Sequence, residues 1–213
     1  FYFPAVYDGA ELEFISTAPL TDIDGNVYTT VVIGDLEWMA ENLRGTRYRN
    51  GTPILTGLSN TEWVNTTTGA YAVYPYTETS GVVGSEEEMI AKYGLLYNGY
   101  AVLDERGLAP EGWRVATDED YKNLERFAGL PEDILDDVGT DRGIAASVAY
   151  KLRSTEWTSN PAGTDEFGFN ALPAGYRQGI GDGGFTRFNH WEGNNLWTST
   201  IGASANFMYR RSI

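Results

Sequence analysis

Residues 27–39 read VYTTVVIGDLEWM: a β-branched run, then Gly34-Asp35, then a second strand-like run. β-Branched side chains favour extended backbone. A two-residue loop that opens with glycine suits a type II′ turn, since glycine takes positive φ without a Cβ clash. The stretch therefore predicts an antiparallel hairpin about Gly34-Asp35. Just upstream, Gly25-Asn26 reads as another turn.

Further along, residues 107–129 read GLAPEGWRVATDEDYKNLERFAG. Thr117 is a helix N-cap, Asp118 to Asp120 favour the positive end of the helix dipole, and Gly129 ends the helix. The helix is expected from Asp118 to about Ala128, with Tyr121, Leu124 and Phe127 buried along one face. Trp113, just before it, is expected to pack in the core. A second helix is predicted over 85–94, with Ser85 as cap, Glu88 completing a capping box and Gly94 as terminator.

Residues 59–76 read as a polar loop feeding a short aromatic strand, and 95–103 as another aromatic strand. The segments 131–137 and 145–154 suggest two further short helical pieces. After Trp157 the chain is Gly- and aromatic-rich, which predicts short strands joined by long loops. Residues 1–20 fit either a first strand or the tail of a preceding domain, which leaves 21–213 as the main unit. Together these elements make an α+β protein.

Composition narrows the function. The 213 residues are 42% hydrophobic, enough for a sizeable core. A net charge of −15 argues against nucleic acid and anionic membranes, both of which call for clustered Lys and Arg. The chain has no cysteine, which removes disulfides, thiolate metal sites and cysteine nucleophiles. No apolar run approaches the ~18 residues of a membrane helix. The chain starts at Phe1 rather than Met, so a leader or an upstream domain is expected before it.

Motifs that could carry chemistry are few. DIDGN (22–26) is like the start of an EF-hand loop, but the twelfth position is Ile33 where a bidentate Glu is required. A hairpin turn is the better reading. GIGDGG (179–184) lacks the Lys-Ser/Thr and the strand-to-helix setting of a phosphate loop. His190 is the single histidine and has no nucleophile elbow nearby. The pairs Asp104/Glu105 and Asp165/Glu166 suit a glycosidase in principle, but thirty acidic residues make such pairs inevitable. Trp38, Trp63, Trp113 and Trp157 are expected in the core, and Trp197 more in core than in a site. Trp191 lies in a polar loop that favours ligand contact.

Several stretches, in order, resemble the Fibrobacter succinogenes major paralogous domain family: DIDGNVYTTVVIGDLEWMAENLRGTRYRNGTPI, TEWVNTTTGAYAVY, YGLLYNGYAVLDERGLAPEGWRVATDEDYKNL, KLRSTEWTSN, GFNALPAGYR and LWTST. The resemblance covers roughly residues 21–200. It implies a C-type-lectin-like fold of the formylglycine-generating-enzyme type, in secreted or surface-anchored bacterial proteins. The cysteines of those enzymes are absent here, so their activity is not carried over. EGNN (192–195) lacks the proline of calcium-dependent lectin motifs. Family members usually continue past LWTST to a Val-Arg-Cys-like last strand, so this chain is expected to lack it or to finish its sheet differently.

Similar C-type-lectin-like domains serve as variable proteins of diversity-generating retroelements, and 188–212 sits where their diversified face would lie. The expectation is a non-enzymatic binding domain on a bacterial surface or phage particle, recognising a protein or glycan, with no cofactor or metal. Its contacts would be Trp191, Glu192, Asn194, Asn195, Asn206, Tyr209 and Arg210, with aromatics as anchors and amides as adaptable polar groups. Two other readings stay open: a carbohydrate-active enzyme or lectin, and a structural module touching neighbouring subunits.

Overall fold

The computed structural model describes residues 5–7, 19–138, 146–158, 162–178, 188–189, 193–202 and 208–212, with 5–7 and 188–189 as backbone alone. Its first half contains β1 (Ala5–Tyr7), β2 (Leu20–Thr21), β3 (Val27–Tyr28), β4 (Thr30–Ile33), β5 (Leu36–Met39), α1 (Asn60–Asn65), β6 (Tyr71–Ala72), α2 (Glu86–Tyr93), β7 (Leu96–Tyr97) and α3 (Gly99–Val102). Then come β8 (Trp113–Val115), α4 (Asp118–Phe127), α5 (Val148–Leu152), β9 (Tyr176–Arg177), β10 (Phe188–Asn189), β11 (Asn195–Ile201) and β12 (Met208–Ser212). The protein is α+β, with short antiparallel sheets.

The predicted hairpin is β4–β5. Its pairs run from Thr30↔Met39 to Ile33↔Leu36, so Gly34-Asp35 is the two-residue loop, and Gly34 sits at φ 64°. The β-branched run upstream is not one strand. It breaks at Thr29, whose backbone N–H donates to Glu41 Oε1 at 2.8 Å, so Val27–Tyr28 pairs instead with β2. In the β2–β3 turn the Asp22 carboxylate accepts from the backbone N–H groups of Asp24 and Asn26, both at 2.9 Å, and from the Tyr28 hydroxyl at 2.6 Å. The largest sheet has the order β4-β5-β1-β8. Ala5–Tyr7, in the segment that fits a first strand or a domain tail, is therefore a strand within this sheet.

Helix α4 begins as its capping residues require. The Thr117 side chain accepts from Asp120 N–H, and the Asp120 carboxylate returns to Thr117 N–H at 2.6 Å while pairing with Arg114. Burial works to raise the Asp120 pKa, but hydrogen bonds from Arg114 and Thr117 outweigh it and hold the carboxyl below its ordinary value. Tyr121 and Leu124 are buried. Phe127 corrects the expectation: it is 52% exposed, at the last turn, and packs edge-on against Phe167 rather than into the core.

Three other elements differ from expectation. Residues 60–65 are a helix, not loop, because Ser59 and Glu62 form a capping box. In α2, Ser85 caps as predicted, but Glu88 reaches past it to Gly84 N–H at 2.7 Å. The strand expected over 95–103 stops at Tyr97, where Asn98 starts α3. One Asn98 oxygen accepts from Ala70 and Ala101 N–H, each at 2.9 Å, and its Nδ2 donates to Thr68 O at 3.0 Å. Of the two short helical pieces expected, the first is a 3₁₀ turn over Glu132–Ile134 and the second is α5.

Among the described residues, two large apolar clusters fill the interior, with a third, smaller one about Trp63, Ala70 and Ala72. The first gathers Trp38, Tyr93, Tyr121, Leu124 and Phe169, with Trp38 rings 5.6 Å from Tyr121 and 5.5 Å from Phe169. The second gathers Met39, Tyr48, Tyr97, Trp113 and Val115. Trp113 is thus a packing residue, as are Trp38, Trp63 and Trp157. Gly94 lets two segments close up: at φ 73°, a Cβ there would lie 2.7 Å from Asn42 Cβ and 2.8 Å from Leu43 O.

Candidate functional site

The C-terminal hairpin β11–β12 pairs Asn195 with Ser212, Leu196 with Arg211 and Trp197 with Arg210, then shifts register before Ile201↔Met208. Opposed residues share a face of the pair, so consecutive arginines point opposite ways. On one face Leu196 enters the first core cluster. Beside it Arg211 pairs with Asp118 at 2.7 Å and Glu125 at 2.9 Å, both on α4. This triad is nearly enclosed, with the Arg211 side chain 11% exposed. A buried pair of this kind fixes geometry, because removing one partner leaves a charge out of water.

The other face is only partly open. Trp197 and Met208 are half-buried against the second cluster, and Trp197 Nε1 donates to Tyr97 O at 2.9 Å. Arg210 is exposed. Helix α3 abuts this face, since a Cβ on Gly99 would lie 3.0 Å from Met208 Sδ and 3.9 Å from the Trp197 ring. The next residue, Tyr100, is 52% exposed. It was missed in the sequence because it sits inside an aromatic run that reads as strand. Asn98-Gly99, a cap followed by a flexible residue, is the signal that marks it.

The expected contact residues separate into groups. Tyr209 is half-buried, and its carbonyl accepts from Thr198 Oγ1 at 3.0 Å. Asn194 and Asn195 are buried, where exposed amides were expected. Asn194 Nδ2 donates to Leu172 O at 2.8 Å. Asn195 Oδ1 accepts from Ser212 Oγ at 2.7 Å and from Arg210. These amides are turned inward because each finds a partner distant in sequence. Trp191, Glu192, Asn206 and His190 lie outside the described residues.

Of the carboxylates considered for acid–base work, Asp104 and Asp165 are held by neighbours. The Arg106 guanidinium beside Asp104 pulls its pKa down to about 2. Asp165 accepts from Asn170 N–H at 2.7 Å. A shallow cleft lies between residues 39–42, residues 169–171 and Leu196. Burial tends to raise the pKa of Glu41 at its rim, but hydrogen bonds from Thr29 and Arg44 prevail and lower it. An ionised, hydrogen-bonded carboxylate is a poor proton donor for glycoside cleavage. Among the described residues, no three His, Cys, Asp or Glu side chains gather as a metal site.

The sequence model of the Fibrobacter succinogenes major domain matches residues 31–212. The chain belongs to this family. The Fibrobacter major domain here runs from within β4 to the end of β12, so the C-terminal hairpin is part of it, whereas β1 to β3 precede it. Comparison with curated proteins and with solved structures finds no match. Among the described residues, no helix is long and apolar enough to cross a membrane.

Proposed function

We propose that this Fibrobacter major domain is a non-enzymatic binding domain, displayed on a bacterial surface, secreted or carried on a phage particle. Its ligand is a protein or glycan, and its architecture is of the C-type-lectin-like kind. The observation that carries the reading is the split of β11–β12 into a face fastened to α4 and a partly open one. Arg211 is fastened to α4 while Arg210 faces out beside half-buried Trp197 and Met208. Arg, Trp, Tyr and Met are the residue types enriched where proteins bind. Arg210 and Tyr100 are assigned to the contact face, together with Trp191, Glu192 and Asn206, while Tyr209, an expected contact, falls by strand alternation on the Arg211 side. Asn194 and Asn195 are assigned to the scaffold beneath.

The test replaces Tyr100 and Arg210 with Ala and reads the melting temperature, binding to a glycan array and capture of surface proteins. A near-native melt with lost binding supports the reading. Unchanged binding places the site elsewhere. Release of reducing sugar that depends on one carboxylate would replace it with the enzyme reading.

A further inference from the structure

The seat of β1 has a consequence for assembly that does not depend on the ligand reading. β1 is antiparallel to both neighbours: Val6 opposes Trp38 on β5 and Arg114 on β8, and Tyr7 opposes Glu37 and Trp113. It lies outside the family domain, which begins at residue 31, yet it joins two strands that lie inside it. β5 is paired on its other side with β4, and among the described residues β8 has no other strand partner. Trp38, Trp113 and Val115, flanking the seat, are buried in the two clusters. Without β1, two facing rows of backbone N–H and C=O groups would lose their partners in the middle of the sheet.

We propose that this seat also accepts the N-terminal strand of a second copy of the chain, linking copies by strand exchange. The occupant is the one strand already seen to fit, so an exchanged strand makes the same hydrogen bonds in the same register. The tether decides which strand wins. Residues 8–19 join Tyr7 to Leu20, and twelve residues reach about 40 Å when extended. A tether of such length holds its own strand at an effective concentration on the order of mM. At micromolar concentration each chain fills its own seat. Where copies are crowded to roughly mM, a neighbour's strand competes on equal terms.

The test uses the full chain with Val6→Pro, which removes an N–H and cannot sit in a central strand. The melting temperature should drop by roughly 6–12 °C. A synthetic peptide of residues 1–8, added near mM, should bind by fluorescence anisotropy and restore most of the loss, while the same peptide carrying Val6→Pro should not. If the variant does not fold alone, refolding with the peptide should recover a cooperative melt. By light scattering near mM, the unaltered chain should form dimers and larger species while the variant stays monomeric. An unshifted melt, or a peptide that neither binds nor restores, overturns the seat. A monomeric unaltered chain near mM overturns exchange between copies.

Discussion

The two hairpins β4–β5 and β11–β12 are built on opposite plans. In the first, a two-residue glycine turn sets the register, and Ile33, Trp38 and Met39 go into the core, so the sequence near the turn specifies nearly everything. In the second, position comes from far away: Arg211 reaches back to α4, Trp197 to Tyr97, and Ser199 N–H to Ala116 O at 2.8 Å. Its register even shifts along the pair. A hairpin tied through both Arg211 and Trp197 leaves exposed Arg210 less constrained by folding than either of them.

The largest effect should fall on the first plan. Trp38→Ala should cost about 3–5 kcal/mol in denaturant unfolding, and Trp113→Ala on β8, outside both hairpins, should cost the same for the same reason. Trp197→Ala, half-buried, should cost clearly less, and equal losses would erase the contrast between the hairpins. Next comes the anchor of the second plan. Arg211→Ala should cost about 3 kcal/mol, because nearly enclosed Asp118 and Glu125 both lose its guanidinium, although Asp118 keeps Lys122 at 3.3 Å. A loss under about 1 kcal/mol, the range of exposed pairs, would mean that β12 is held by something else.

Gly34→Ala tests the turn. A Cβ at φ 64° should cost roughly 1–2 kcal/mol, with no change in ligand capture. Acid titration sharpens the comparison near α3. Asp104 has a folded pKa of about 2, below the unfolded value of about 3.9, so its stabilisation is complete above that unfolded value and fades as pH falls through the folded one. Asp104→Asn should therefore melt lower than the unaltered chain at pH 7, and the gap should close towards pH 2. The smallest stability effect belongs to Arg210→Ala, within about 0.5 kcal/mol, yet it should weaken ligand capture most among single changes.

The same contrast explains what the sequence disclosed. The Gly34 turn, the Thr117 and Ser85 caps and the packing role of Trp113 depend on neighbours a few residues away, and they were legible. The Ser59–Glu62 box was equally local but hidden in a run of polar residues that reads as loop. Phe127 keeps helical spacing with Leu124, but it ends the helix, where its neighbour is Phe167 rather than the core. Asn194 and Asn195 were beyond reach. Their burial depends on Leu172, Arg210 and Ser212, and nothing in an Asn-rich segment announces partners that distant.

Asn98 bears on how this part of the molecule comes apart. Its single carboxamide oxygen receives the amide hydrogens of Ala70 and Ala101, so the end of one chain segment and the first turn of α3 share one acceptor. Rotating that side chain frees the Ala70 N–H but leaves the Ala101 N–H on the Asn98 backbone carbonyl at 3.1 Å. Hydrogen exchange at Ala70 should then follow the rotation of one side chain, while Ala101 keeps its protection until the turn itself opens. Tyr100 lies within the turn that those backbone bonds close, so the solvent-facing aromatic of α3 should keep its place through a rotation that unlatches Ala70.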